Sequence, residues 1–455
     1  MDTELLTKEF TKLRRRPHAN TYAINAIEQW IRQTTPEQRY RINLFAIARD
    51  IGVEMYTTLP EFLHGVHIGL FDLHWDLHCP QCDMVIDEHS SLSTMAGRGF
   101  CHICDKQFAA DFAKHIEVTF SLNRAIEDTI TPPQHVPPKS FKYHFYMDIP
   151  QHQTKRVQET LSAGSYHYHC LPSGAGGTLL VSGKPHQEVQ EISLMLGEDD
   201  RFSTAQLTTT PGEVALTITN HHHPILTFVV VPHNQGEAKA EDLPMRLSGL
   251  HLIHFPEFHD LFGQQVLSER EQLRITSITT IFTDITGSTQ MYDRLGDATA
   301  YNIVRDHFDI LFEAIEQHGG RVVKTIGDAV MASFIRNHQA VQSIVSFLRR
   351  LDEYNQRRSD NEHIILKIGI HRGPSILVNL NGHLDYFGSH INKAARIQGL
   401  SKSGEITMSE EIFEDETSQR IFAEAGMTAF VKETVNLKGI EGEQTVYKIS
   451  VREHT

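Results

Sequence analysis

The residues of this chain best placed to do chemistry are two aspartates in its second half and four cysteines in its first third. Ile278 to Phe282 is a β-branched and aromatic run that leads into Thr283-Asp284-Ile285-Thr286-Gly287-Ser288. It reads as a strand delivering Asp284 at its C-terminal end, then a glycine turn and a helix start at Ser288. Arg321-Val322-Val323-Lys324 and the run Ala329 to Phe334 flank Thr325-Ile326-Gly327-Asp328, the pattern of a hairpin with Asp328 at its tip. Between these segments Tyr301, Val304, Phe308, Leu311, Phe312 and Ile315 recur at helical spacing, which predicts an amphipathic helix. A β-α-β-β order lets the first strand lie beside the hairpin, so Asp284 and Asp328 can approach each other. Two carboxylates that close repel, and one protonates unless a cation neutralises both. Oxygen ligands without a neighbouring Cys or His cluster suit magnesium or manganese shared with substrate phosphates. Either aspartate alone would read as a turn residue.

Cys79-Pro80-Gln81-Cys82 and Cys101-His102-Ile103-Cys104 form two C-x-x-C knuckles, the spacing of a four-thiolate zinc site. Four thiolates close the tetrahedron and leave no place for water, so the zinc expected at Cys79, Cys82, Cys101 and Cys104 is structural; redox disulfides or no metal are the alternatives. Nothing basic and aromatic surrounds the knuckles, and the formal net charge of −15 argues against a nucleic-acid partner, whose phosphates need a basic surface.

The elements that must position these groups suggest a multidomain α+β chain, since 455 residues exceed one ordinary core. An α+β region over 1–135 holds the ribbon at 79–104, with Ala26, Trp30 and Ile31, then Leu44, Ile47 and Ala48, at helical spacing. A Pro-rich joint from Thr131 to Pro138 follows. Residues 140–250 read as a β-rich, sandwich-like regulatory domain, with strand runs at Gly177–Val181 and Glu213–Ile218. Within it His221-His222-His223-Pro224 reads as a solvated hairpin loop rather than a metal site, because successive strand residues face opposite ways. A helical connector is expected over 251–275, and the aspartate-bearing domain over 276–455. Arg14-Arg15-Arg16 reads as a solvated helix end. The 29 histidines suit either a solvated surface or pH sensitivity. The N-terminus lacks a secretory layout and no apolar run is long enough to span a bilayer, so there is no expected transmembrane segment and the expected location is cytoplasmic.

Phe282-Thr-Asp284-Ile-Thr-Gly287-Ser288, Lys324-Thr-Ile-Gly327-Asp328, Asp385-Tyr-Phe-Gly388-Ser-His-Ile-Asn392-Lys-Ala-Ala-Arg396, and the ending Leu437-Lys438-Gly439-Ile440 with Val446-Tyr447 resemble the class III adenylyl and guanylyl cyclases from about Thr276 to Val451. The resemblance implies a βαββαβ ferredoxin-like, palm-type domain that makes cyclic AMP from ATP. Asp284, Ile285 and Asp328 become the metal positions for two Mg²⁺ or Mn²⁺ ions, and Lys324 and Asp385 the readers of the base. That pair suits adenine, with lysine donating to ring N1 and aspartate accepting from the exocyclic amine. Asn392 would orient the ribose, Arg396 would meet the charge building on the α-phosphate, and Lys438 would neutralise the terminal phosphates. The family also implies a homodimer through the cyclase domain, with each site drawn from both chains. The cysteine ribbon with His115-Ile-Glu-Val-Thr-Phe120 resembles uncharacterised N-terminal modules ahead of bacterial cyclases, which implies regulation by an unnamed ligand or protein. Two other readings stay open: a cyclase of guanosine or pyrimidine triphosphates, and a catalytically silent zinc-ribbon scaffold.

Overall fold

The computed structural model describes residues 1–128, 142–171, 174–199, 201–202, 204–233, 236–239, 241 and 243–451; the Pro-rich joint lies outside them. The chain opens with four helices, α1 (Thr3–Arg14), α2 (Thr21–Gln33), α3 (Leu44–Ile51) and α4 (Met55–His67). Their starts follow from local chemistry: the side chains of Asp2, Asn20 and Asn43 each accept a main-chain N–H of the first turn, satisfying donors that have no partner within the helix. The helices pack on an antiparallel sheet of order β2-β1-β5, made of β1 (Phe71–His78), β2 (Val85–His89) and, after the hairpin β3 (Arg98–Cys101) and β4 (Lys106–Ala109), β5 (Ile116–Leu122). The basic run at the end of α1 corrects one expectation. One guanidinium nitrogen of Arg16 donates to both Glu61 oxygens, at 2.7 and 2.8 Å, with the Glu61 side chain 2 % exposed, and Arg14 pairs with Glu28, so of the three only Arg15 is exposed.

Next come β6 (Phe145–Pro150), β7 (Gln153–Leu161), β8 (Gly164–Leu171), β9 (Gly176–Val181), β10 (Gln190–Met195), β11 (Gln206–Thr209), β12 (Gly212–Asn220) and β13 (Ile225–Pro232). They form a three-stranded sheet, β10-β12-β7, and a five-stranded one, β11-β9-β8-β13-β6, around Phe145, Tyr168, Leu216 and Phe228. His221–His223 lie in the loop between β12 and β13, where the Asn220 side chain accepts from the main-chain N–H groups of His222 and His223.

Two short helices, α5 (Gly249–Leu252) and α6 (Pro256–Phe262), lead into the last sheet. Its elements are β14 (Gln272–Ile285), α7 (Ser288–Leu295), α8 (Asp297–Gln317), β15 (Arg321–Ile326), β16 (Ala329–Phe334), α9 (Asn337–Asn355), β17 (Leu366–Leu380), β18 (His383–Phe387), α10 (Ser389–Gln398), β19 (Glu405–Ser409), α11 (Glu410–Phe413), α12 (Glu416–Glu424), β20 (Val431–Asn436) and β21 (Glu443–Ser450). The strand order is β15-β16-β14-β17-β19-β21-β20, with β18 paired to β17, so the beginning runs β-α-β-β-α-β as expected. The last residues of the expected connector, from Gln272, already belong to β14.

Successive strand residues face opposite ways, and this sheet is apolar on both sides. Ile281, Ala332 and Ile370 pack under α8 and α9 with Ile303, Leu311, Ile344 and Phe347. The stripe on α8 includes the fully buried His307, whereas Tyr301, expected in it, is 63 % exposed. Ile278, Phe282, Met331, Leu377 and Tyr386 face the other way, into one apolar cluster with Trp75, Phe112 and Phe258 from the N-terminal region and α6. Polar bonds cross the same boundary: His254 Nε2 meets Ser333 Oγ at 3.1 Å and Asn379 donates to the Leu267 carbonyl at 2.7 Å. Phe258, 1 % exposed and edge-on to Trp75 at 5.9 Å, sits at the junction. Phe258→Ala is expected to cost about 3–5 kcal/mol and to lower a melting transition shared by the N-terminal helices and the last sheet. Calorimetry showing two transitions, only one of them moved, would contradict a common core.

Candidate catalytic site and sulfur cluster

Asp284 is the penultimate residue of β14, and Asp328 follows Gly327 in the tip between β15 and β16. That tip needs φ +64 at Gly327, a conformation that glycine adopts without penalty. The β14–β16 register, Thr283 opposite Val330, carries Asp328 to the end of β14, where its Oδ2 accepts the Ile285 N–H at 3.2 Å. Burial first, and then the Asp328 charge, raise the Asp284 carboxyl above the usual carboxylate range. Lys367, opposite Asp284 in the β14–β17 register, brings Nζ to 3.6 Å from Asp284 Oδ2. Beneath them His307 of α8 is held down to about 4 by burial, so it is neutral and adds no charge. Two carboxylates pressed together, beside the main chain of Ile285, make an oxygen-only set suited to a hard divalent cation.

The second cluster lies across the sheet. Lys324 of β15 donates to Asp385 of β18 at 2.5 Å, and the Asp385 Oδ1 also accepts the Tyr386 N–H at 2.8 Å. Arg321 of β15 fixes the same strand by donating to the Leu384 carbonyl at 3.1 Å. α10 packs on β17 and β14, and its Asn392 and Arg396 are solvent-exposed, as is Lys438. Among the described residues, these three side chains make no hydrogen bond or ion pair. At the start of α10, His390 Nδ1 meets His371 Nε2 at 3.1 Å.

The four cysteines of the ribbon are buried and unbridged, with ligand atoms all within 4.8 Å of one another. Sγ of Cys79 lies 3.8 Å from that of Cys104, and Cys82 lies 3.6 Å from Cys101. A tetrahedron built on Zn–S bonds of about 2.3 Å has edges of about 3.8 Å, so the spacing fits zinc and is far too long for disulfides. Around it, the Asp83 carboxylate lies 3.5 Å from His78 Nδ1, and the Glu117 carboxylate lies 3.0 Å from His78 Nε2. Although burial opposes it, these neighbours push His78 up to about 9. Arg246 ties Asp83 to Glu117.

Residues 271–451 match the adenylate and guanylate cyclase catalytic domain family. This segment is a class III nucleotidyl cyclase domain. Residues 4–162 match a family of unknown function (DUF5939). Curated relatives include an adenylate cyclase of Anabaena cylindrica, 27% identical over 186 residues, 38% of this chain and 36% of that protein. Guanylate cyclase 2G of Mus musculus is 26% identical over 199 residues, 41% of this chain and 18% of that protein. The chain thus matches well under two thirds of the length of either relative. Among solved structures, the adenylyl cyclase CyaB of P. aeruginosa is 20% identical over 39% of this chain and 95% of that one, with a TM-score of 0.32.

In the cyclase domain, the structure brings Asp284, Ile285 and Asp328 together at one end of the sheet and Lys324 and Asp385 together at another place. Asn392, Arg396 and Lys438 touch neither group within the described hydrogen bonds and ion pairs. Sequence reasoning missed Lys367 and Arg321. Lys367 had a signal, because it alternates with the apolar Leu366, Ile368 and Ile370 and so faces the side of the strand opposite to them; Arg321 had none beyond starting a strand. Because the folded Asp284 carboxyl is raised, its ionised form weakens the metal-free fold above that raised value, and the penalty fades as the pH falls and both states are protonated. In chelator at pH 8, Asp284→Asn is expected to raise the melting midpoint by about 1–3 °C, with a smaller gain at pH 4. A drop at pH 8 would contradict the electrostatic picture.

Proposed function

We propose that the chain is an adenylate cyclase, converting ATP to 3′,5′-cyclic AMP and pyrophosphate. The observation that carries this reading is the Lys324–Asp385 contact at 2.5 Å: a donor and an acceptor are held side by side, the polarity that adenine N1 and its exocyclic amine require. Guanine presents the opposite polarity at those positions. Lys324 and Asp385 bind the base, Asn392 orients the ribose, and Lys438 binds the terminal phosphates. Asp284, Ile285 and Asp328 would hold two Mg²⁺ or Mn²⁺ ions. Bound there, such cations supply Lewis acidity to the ribose 3′-hydroxyl and the triphosphate. The 3′-oxygen bonds to the α-phosphorus as its proton passes to water, the bond from that phosphorus to the bridging oxygen breaks, and pyrophosphate departs. Arg396 meets the charge that builds on the α-phosphoryl oxygens with a guanidinium that cannot lose its proton.

Each site is drawn from two copies of the chain. Supporting this, Asn392, Arg396 and Lys438 are exposed and unpaired among the described residues, and the apolar side chains of Ile326 and Phe387 stand exposed beside Lys324 and Asp385. A homodimer then holds two composite sites, with Asp284 of one chain facing Arg396 of the other. Asp284→Ala and Arg396→Ala chains should each be inactive. After mixing in equal amounts they should recover about a quarter of wild-type activity, since half the dimers carry one intact site. A mixture as dead as its parents sinks the shared-site reading.

The sulfur cluster holds a structural zinc ion, the N-terminal half regulates the catalytic one, and the enzyme works in the cytoplasm; among the described residues, no helix is long and apolar enough to cross a membrane. Metal analysis should find about one zinc per chain. Stripping it with a strong chelator should lower the melting midpoint by more than about 5 °C. Full retention of that midpoint in metal-free protein would remove zinc from the account.

A further inference from the structure

β14 is irregular at its middle. Its pairing with β17 shifts between Ile275, opposite Ser375, and Ile278, opposite Gly373. Thr276 and Ser277 therefore face a single residue, Pro374, in the manner of a β-bulge, which bends a strand and leaves main-chain groups without ladder partners. The register shift leaves the Thr276 N–H outside the β14–β17 ladder, so its acceptor comes from elsewhere.

It comes from the N-terminal region. Asp111, just past β4 of the sulfur-bearing hairpin, is 2 % exposed. Its Oδ2 accepts the Thr276 N–H at 3.0 Å and also the Thr276 hydroxyl. Its Oδ1 serves a local turn, accepting from Ala113 N at 2.9 Å and Lys114 N at 3.2 Å. Main-chain bonds flank the contact, Arg274 N to the Ala110 carbonyl at 3.2 Å and Phe112 N to the Arg274 carbonyl at 2.8 Å. The approach is tight: a Cβ on Gly97 would stand 2.3 Å from the Gln272 carbonyl oxygen.

The bulge lies between the two strand positions that lead to Lys324 and Asp385. Asp385 pairs with Val378, which pairs with Gln272 at the start of β14. Lys324 pairs with Met331, which pairs with Phe282 near the other end. On a straight strand Gln272 and Phe282 would be roughly 34 Å apart, yet Lys324 and Asp385 touch. The ribbon of β14 and β17 must therefore curve strongly between these positions, and the irregularity that Asp111 holds is the one break in its register. Asp284 and Asp328 lie beyond it, secured by their own ladder with β16 and β17.

We infer that Asp111 is a positioning residue for base recognition: by satisfying Thr276 at the bulge, it fixes the bend that sets Asp385 against Lys324. The inference rests on the cyclase reading, and it gives the N-terminal region a defined point of action on substrate choice rather than on the chemical step. Asp111→Asn tests it in the full chain. The substitution is isosteric and keeps an oxygen for the turn at Ala113 and Lys114, but it sets an amide donor against the Thr276 N–H.

Steady-state kinetics with ATP and GTP should show KM for ATP raised about tenfold, the preference for ATP over GTP reduced by a similar factor, and kcat within about twofold of wild type. Thr276→Val should shift both in the same direction by less, and it carries the test if Asp111→Asn does not fold. Asp72→Asn, in the same region but bonded to Asn123, should leave KM and preference unchanged. Unchanged KM and preference in Asp111→Asn, or a fall in kcat alone, overturns the inference. A wild-type chain that cyclises no triphosphate overturns the cyclase reading instead, and the same comparison is then made on the dissociation constants of ATP and GTP.

Discussion

Lys324 and Asp385 touch although the ribbon that carries Asp385 starts from the far end of β14, and the rest of the catalytic half is arranged around the bend that makes this possible. The bend uses a bulge at Thr276 and Ser277 opposite Pro374. It also demands something to fill the inside of the curve. Tyr386, Leu384 and Met331 occupy that space together with Phe258 and Leu267 from the segment before β14. Arg321, buried under β18, closes it with a bond to the Leu384 carbonyl. The Lys324–Asp385 pair is thus a product of tertiary packing and not of any local motif.

The same packing removes the boundary between the N-terminal region and the cyclase domain. An isolated palm-type sheet with helices on one face would leave its other face in water. In this chain that face shares an apolar core with the N-terminal helices, so a disturbance in one half reaches the other through close-packed side chains rather than through a flexible linker. The sulfur cluster fits this arrangement. The hairpin of β3 and β4 is too small to stabilise itself by burial, and four thiolates on one ion would supply the missing free energy close to where the hairpin meets β14.

What the sequence made legible was local. Asp284 could be found because a strand, a glycine and a helix start follow one another within a few residues, and Asp328 because a glycine turn joins two strand runs. The cysteines announced themselves by spacing. Lys324 and Asp385 are 61 residues apart, and only resemblance to a family paired them. Asp111 and Thr276 are 165 residues apart and carried no signal at all. Charges misled at Arg16, where a basic run conceals a buried pair with Glu61, because sequence shows a charge but not its partner. Periodicity misled at Tyr301, because a helical stripe has edges that only packing defines, and His307 took the buried place. One signal was present and unused. Ile275-Thr-Ser-Ile278-Thr-Thr-Ile281-Phe282 is apolar at positions of both parities, the mark of a strand covered on both faces, and it pointed to the shared core.

The central claim, that this fold turns ATP into a cyclic nucleotide, is tested most directly by chromatography of the products formed by the 455-residue chain with manganese and each nucleoside triphosphate in turn. The account predicts 3′,5′-cyclic AMP and pyrophosphate from ATP, in clear excess over any cyclic product from GTP, CTP or UTP. A folded, dimeric, metal-loaded chain that yields no cyclic nucleotide from any of the four would contradict it.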